Sequence, residues 1–265
     1  MQRKSIIGAV AALWFILLAV VAFAASRPGD VLLMGVGAGA GGGGGGAITL
    51  VSGQFATATN GGQANTVATT LTGVTSGNTV VLAFNMCSDA SCAGNTAVSI
   101  SGVTATAGSC SAISGAQATG VTQSTAFTFL WVCQGGSGSQ TYTATMTPSG
   151  QSWYATIFAQ EFHNVVSSTP AEGGSFCDNA AVGTSYTCTT GTLTQSSGEL
   201  VISTWASGAS FGTLTLGGGQ TNIGTSGNAF SYQITSGCSS CTVTHTYNTT
   251  SSVTNAISIG ALKHS

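Results

Sequence analysis

Apolar and polar residues alternate along much of this chain. In residues 79–86, Val80, Leu82, Phe84 and Met86 share one face of an extended segment. Residues 126–133 set Phe127, Phe129, Trp131 and Cys133 on one face and Thr128, Leu130 and Val132 on the other. Residues 140–147 alternate threonines with Tyr142, Ala144 and Met146. Residues 152–162 place Tyr154, Thr156, Phe158, Gln160 and Phe162 opposite Trp153, Ala155, Ile157, Ala159 and Glu161. Residues 199–206, 242–247 and 255–263 continue the series, and clusters of Gly, Ser and Asn separate the runs. No segment after residue 46 shows a capped helical period. Strands divided by turns, without helices between them, predict an all-β fold. The expectation is an antiparallel two-sheet β-sandwich, jelly-roll-like, with about nine strands and disulfide-pinned loops.

The N-terminus has a different pattern. Arg3 and Lys4 precede an uncharged, mostly apolar run over residues 6–25. Ala22-Phe23-Ala24 matches the small-x-small rule for signal cleavage, which places the cut after Ala24. The run is also long enough to serve as an uncleaved anchor. Residues 1–24 therefore read as a signal peptide or anchor. Residues 25–46 end in six consecutive glycines and read as a flexible linker, because glycine at that density costs too much backbone entropy to hold a structure. Residues 47–265 are the expected sandwich domain.

Export changes the meaning of the cysteines. Cys87, Cys92, Cys110, Cys133, Cys177, Cys188, Cys238 and Cys241 all follow the signal, and their number is even. An oxidising destination makes disulfides the expectation. Sequence does not choose among the pairings. Proximity suggests Cys87–Cys92, Cys110–Cys133, Cys177–Cys188 and Cys238–Cys241, bridges that pin loops.

Charge is scarce. The chain has four basic and six acidic residues, and only Arg27 and Lys263 of the basic set lie beyond the signal. Nucleic-acid binding needs a basic patch that this composition cannot build. With 43% apolar residues the chain can fill a core, leaving a surface of Ser, Thr, Asn, Gln and Gly.

Candidate chemistry is sparse. Gly208-Ala209-Ser210-Phe211-Gly212 fits a nucleophile-elbow pattern. Such an elbow needs an acid and then a histidine downstream, yet the last acid, Glu199, precedes Ser210. The glycines from Gly37 onward match a dinucleotide pattern without the strand and helix it requires. Cys238, Cys241 and His245 offer zinc three ligands where a structural site takes four, so no metal or other cofactor is expected. Glu161 and His163 lie two apart and share a face, as an acid/base pair or as a strand end whose carboxylate accepts loop N–H groups. Glycoside hydrolysis needs two carboxylates flanking the bond; a pair among Asp89, Glu161, Glu172, Asp178 and Glu199 could converge in space, with Glu161 as one member, while Asp89 and Asp178 read as turn residues. Aromatic rings stack on sugar faces, and Trp131, Trp153, Tyr154, Trp205, Tyr232 and Tyr247 all fall in strand patterns. The candidate glycan-binding set is Trp131, Trp153, Tyr154 and Trp205 with Glu161 and His163. Alternating threonines at 141–147 and 242–246 suit an exposed strand face and could form a flat, regular surface.

Two short segments echo each other: Ser76-Gly77-Asn78-Thr79-Val80-Val81 and Ser197-Gly198-Glu199-Leu200-Val201. With Ala159-Gln160-Glu161-Phe162-His163-Asn164-Val165, the later Pro170, and Ile259-Gly260-Ala261-Leu262-Lys263, their order resembles a group of secreted bacterial β-sandwich domains. That group carries "aGnlvvv", "EysGv…P", "aGdLvvg" and "aafk" strand motifs. His163-Asn164 stands where the group has Ser-Gly, and the cysteines are not a general feature of it. The resemblance covers roughly residues 48–263. It implies an extracellular sandwich module and carries over no catalytic residue. The expected role is structural, adhesive or assembly, with glycan binding as the alternative and polysaccharide hydrolysis a third reading. Expected partners are a glycan or another cell-surface component, or a second copy engaged through residues 47–51 as a donated strand.

Overall fold

Strand 79–87 is apolar on both faces, and this shapes the whole architecture. Alternate side chains of a strand point to opposite sides of its sheet, so such a strand must be covered twice. The computed structural model describes residues 46–60, 64–87, 97–118, 126–147, 154–207, 212–217, 219–224 and 229–265, without the side chains of 118, 178–182, 238–239 and 251–254. Residues 1–45, which hold the expected signal and all but the last residue of the expected linker, lie outside these residues. Residues 43–265 belong to one compact unit.

Sixteen strands occur among the described residues. The first eight are β1 (Thr49–Asn60), β2 (Thr66–Val74), β3 (Thr79–Cys87), β4 (Ser99–Ala105), β5 (Ser109–Ala118), β6 (Ala126–Gln134), β7 (Gly138–Thr147) and β8 (Tyr154–His163). The second eight are β9 (Ala171–Thr189), β10 (Leu193–Gln195), β11 (Leu200–Ser207), β12 (Leu214–Gly217), β13 (Thr221–Asn222), β14 (Phe230–Ile234), β15 (Cys238–Cys241) and β16 (Thr244–Leu262). Every strand pairing is antiparallel. The all-β antiparallel sandwich expected from the sequence is present.

Its layers follow from a ribbon folded in half and then rolled. In the first half, β1 pairs with β8, β2 with β7 and β3 with β6. Rolling that ribbon gives one sheet in the order β1-β8-β3-β6-β5 and a second in the order β2-β7-β4. The β1-β8-β3-β6 and β2-β7-β4 orders are those of a jelly roll, with the departure that β5 pairs with β6 rather than with β4. In the second half, β9 pairs with β16, β10 with β15 and β11 with β14. The larger sheet there includes the path β9-β16-β11-β14-β13, the order of the first roll repeated eight strands later. The short echo between residues 76–81 and 197–201 marks β3 and β11, which hold equivalent places in the two rolls. The two halves differ at β12, which pairs with β16 rather than with the small β10-β15 sheet.

The two large sheets pack back to back. Val81, Ala83, Leu130, Val132, Phe158 and Phe162 from the first roll meet Leu200, Ile202, Phe230 and Leu262 from the second. Polar pairs also cross the seam: Thr204 Oγ1 donates to Asn85 Oδ1 at 2.6 Å, and the Thr128 and Ser258 hydroxyls lie 2.9 Å apart. The opposite face of β3 and β6 packs Leu82, Phe84, Met86, Phe127 and Phe129 against Leu71, Tyr142 and Met146 of the small first-roll sheet. A third cluster fills the second roll with Tyr186, Leu193, Trp205, Tyr247, Ile257 and Ile259. Each fully buried large side chain contributes about 1.5–3 kcal/mol.

The structure has more strands than the roughly nine expected. Residues 242–247 and 255–263, which read as separate runs, belong largely to the single strand β16. Several additional strands, among them β4, β5 and β9, are rich in Gly, Ser, Thr and Ala, so alternation is faint in them, and β10, β12, β13 and β15 are only two to four residues long.

Cys110 and Cys133 are cross-strand partners on β5 and β6 and are disulfide-bonded, as are Cys177 and Cys188 along β9. Cys87 and Cys241 are also in disulfides. The pairings expected for them involve residue 92 and the side chain of 238, outside the described residues. Disulfides are compatible with an extracellular location. Among the described residues no helix is long and apolar enough to cross a membrane.

Candidate functional site

Strand β8 runs from one pole of the rolls to the other. Its ten residues separate Tyr154 from His163 by about 30 Å. The sequence-derived candidates are divided between these poles.

At the pole of His163, the chain enters and ends. The Ile48 N–H donates to Gly198 O at 2.8 Å, Asn164 Nδ2 to Ala47 O at 3.0 Å, and Ser265 N–H to Asn164 O at 2.8 Å. Glu161 is fully buried there. Its Oε1 accepts from the Thr75 N–H at 2.8 Å and from Asn78 Nδ2 at 2.5 Å, while His163 Nδ1 lies 2.8 Å from Asn78 Oδ1. An amide oxygen only accepts, so Nδ1 carries the proton. Glu161 and His163 share a face as expected, and Asn78 joins them. The carboxylate holds the turn that leads into β3 and lies beyond the reach of a substrate.

The equivalent turn before β11 is held by Glu199, whose Oε2 accepts from the Ser196 N–H at 3.0 Å. Burial pushes the Glu199 carboxyl above its ordinary range, and Glu172 adds to this. The Ser196 N–H, His264 and Lys263 oppose it. Glu172 Oε1 accepts from the Thr194 N–H at 3.2 Å. These three carboxylates serve loops at one pole. Asp89 and the side chain of Asp178 lie outside the described residues.

Inside the second roll lies a polar cluster that the sequence did not signal. Ser203 Oγ is 2.7 Å from Tyr247 Oη, 3.1 Å from Ser231 Oγ and 2.5 Å from His245 Nδ1, and Tyr247 Oη is 2.9 Å from Ser231 Oγ. Gln220 Nε2 donates to Ser231 at 2.9 Å. Three hydroxyls in a closed ring use their three protons on one another. The bond to His245 must then be donated by its Nδ1–H, leaving Nε2 as an acceptor. Burial alone drives the His245 pKa down to about 3 and raises that of Tyr247 to about 12, the latter opposed by Ser203 and Ser231. Ser203, Ser231, His245 and Tyr247 are fully enclosed. The Ser–His contact is therefore a core network and not an accessible nucleophile. Cys241 is in a disulfide and His245 faces Ser203, so this pair does not converge on a metal.

A cleft of about 260 Å³ opens at the opposite pole, along the seam between the rolls. β8 supplies Tyr154, Thr156 and Phe158, β1 supplies Thr59, β3 supplies Asn85, and β11 supplies Trp205. Phe158 is held between Phe55 and Phe230, with ring centroids 6.4 and 6.0 Å away. Tyr154 is 40% exposed, whereas Trp205 is 1% exposed. Tyr154 and Trp205, both expected from the sequence, thus meet in one site. Trp131 lies in the first-roll core at 9% exposure, away from the cleft. Trp153 and Ser210 lie outside the described residues. Asn85, Thr59 and Thr156 were not singled out in the sequence. The only available signal was Asn85, an amide inside an otherwise apolar strand.

The cleft's described lining is uncharged. Among the described residues no group of three or more His, Cys, Asp or Glu is placed to hold a metal ion. No protein-family model matches this chain, and no curated protein matches it.

Proposed function

We propose that this protein is an exported adhesive module, displayed at the cell surface on its glycine-rich tether. The observation that carries this reading is the division of labour between the poles. The chain enters beside Gly198 and Asn164, while the cleft opens about 30 Å away at the other end of β8. A tether at one pole directs the other outward. The basic, apolar and small-residue segments of the N-terminus support export, and the disulfides fit the same destination.

Adhesion is favoured over hydrolysis by the placement of the described carboxylates. Glu161, Glu172 and Glu199 are committed to turns at the tether pole, whereas glycoside hydrolysis needs two acids flanking the scissile bond. The exposed aromatic Tyr154 favours a glycan among surface ligands.

The test is surface display followed by attachment. Cells making the full chain should expose it to added protease and should gain attachment to a polysaccharide-coated surface. Removal of residues 2–24 should abolish both. Retention of the full chain inside the cell would overturn the proposal.

A further inference from the structure

We infer that the inter-roll cleft binds a single ring of an uncharged sugar, stacked on Tyr154. This rests on the adhesive reading and specifies its ligand.

Size sets the first limit. Small-molecule pockets commonly span about 300–1,000 Å³, and this cleft, at about 260 Å³, falls below that range. It suits one ring of a longer chain, whose remainder stays in solvent.

Charge sets the second. An ionised ligand group loses hydration on entering and must be repaid by a partner. The described lining offers none: its polar groups are hydroxyls and one carboxamide. Uronic acids, phosphates and ammonium groups are therefore disfavoured.

The polar groups that remain suit hydroxyl recognition. Thr204 pins Asn85 Oδ1 at 2.6 Å, which directs the two donors of Asn85 Nδ2 elsewhere. Thr59 and Thr156 share one bond at 2.9 Å and so use one of their two hydroxyl protons, leaving the other to donate. Beside them, Tyr154 presents an exposed ring and Phe158 an apolar floor. A pyranose has the matching character, with one C–H face and a rim of hydroxyls. A lipid chain would leave Asn85 Nδ2 without a ligand acceptor, and a charged peptide would meet no counter-charge among the described lining residues.

The experiment measures binding of the exported protein, recovered intact, to neutral glucan, mannan and galactan oligosaccharides. Polyuronate and phosphatidylcholine vesicles are run beside them, and thermal melts check the fold of each variant. Saturable binding to a neutral oligosaccharide is expected, weakened at least about tenfold by Tyr154→Ala, retained by Tyr154→Phe and weakened by Asn85→Ala. Binding that Tyr154→Ala leaves unchanged, a preference for polyuronate or for vesicles, or no sugar binding would overturn the assignment. Cell attachment measured on the same preparations separates the two levels. Attachment that persists in Tyr154→Ala and in excess neutral sugar removes the sugar and leaves the adhesive module. Absence of all attachment removes both.

Discussion

Ser203 Oγ and His245 Nδ1 lie 2.5 Å apart in the sealed interior of the second roll. Cross-strand register makes Ser203 the counterpart of Leu82 and Ser231 the counterpart of Trp131. The first roll fills these places with apolar side chains, and the second fills them with a hydrogen-bonded ring. A hydroxyl network is favourable only when each member is satisfied. Ser203→Ala should therefore cost about 1–3 kcal/mol in denaturant unfolding, because His245 and Tyr247 lose a partner without gaining water.

The same histidine ties stability to pH. Its folded pKa, about 3, lies below its unfolded value of 6.5. Between these values the unfolded chain binds the extra proton, so stability falls as pH drops from 6.5 toward 3. The slope from this one group approaches about 1.4 kcal/mol per pH unit. Glu199 acts in the opposite sense, since its raised folded pKa makes stability fall as pH rises through the carboxylate range. The comparison with His245→Gln isolates the histidine. That variant should be less stable at pH 7 and show a flatter profile from 6.5 to 3. Parallel profiles would show that His245 does not titrate on unfolding.

Gly77 and Gly198 occupy equivalent turns with φ of 88° and 95°. A Cβ at Gly77 would meet open space, whereas one at Gly198 would lie 2.6 Å from the Ala47 Cβ. Gly77→Ala should cost about 1–2 kcal/mol from the left-handed backbone alone. Gly198→Ala should cost more and should also release the N-terminal segment. Proteolysis near residues 46–50 that rises only in Gly198→Ala would show this.

Glu161→Gln should leave attachment unchanged while lowering stability by about 1–2 kcal/mol, because charge-assisted bonds to Thr75 and Asn78 become ordinary ones. Loss of attachment without loss of stability would move the functional site to the tether pole.

The Cys110–Cys133 bridge closes 23 residues of chain. Replacing both cysteines with alanine should cost about 3 kcal/mol, mostly through a freer unfolded chain. Urea melts of the double variant and of the parent give the difference.

Much of the first roll was legible because its strands need cover on both sides. Alternation in β3 and β6 names Phe84, Phe129 and Leu130 as core without knowledge of their partners. β9 was not legible: Gly173, Gly174, Ala180 and Ala181 carry little apolar signal, and β16 holds it by backbone pairing. The second layer of sheets was hidden for a related reason, since a face that buries Thr204 and Ser258 reads as polar. For the site, aromatic chemistry pointed to Tyr154 and Trp205, but their meeting depends on how β8 and β11 approach across the seam. Asn78 was hidden between Glu161 and His163 because nothing local predicts which turn a buried carboxylate will hold.

The direction of the strands has a mechanical consequence. A ligand held at the cleft and a tether pulled at Ala47 would load β1 along its own length. Ladder bonds of an antiparallel pair lie across the strands, so the β1–β8 bonds from residue 55 to residue 60 would resist together in shear. Had the chain entered beside the cleft, the same edge strand would peel away one bond at a time. An adhesive role would therefore load this edge of the first roll in shear rather than in peeling.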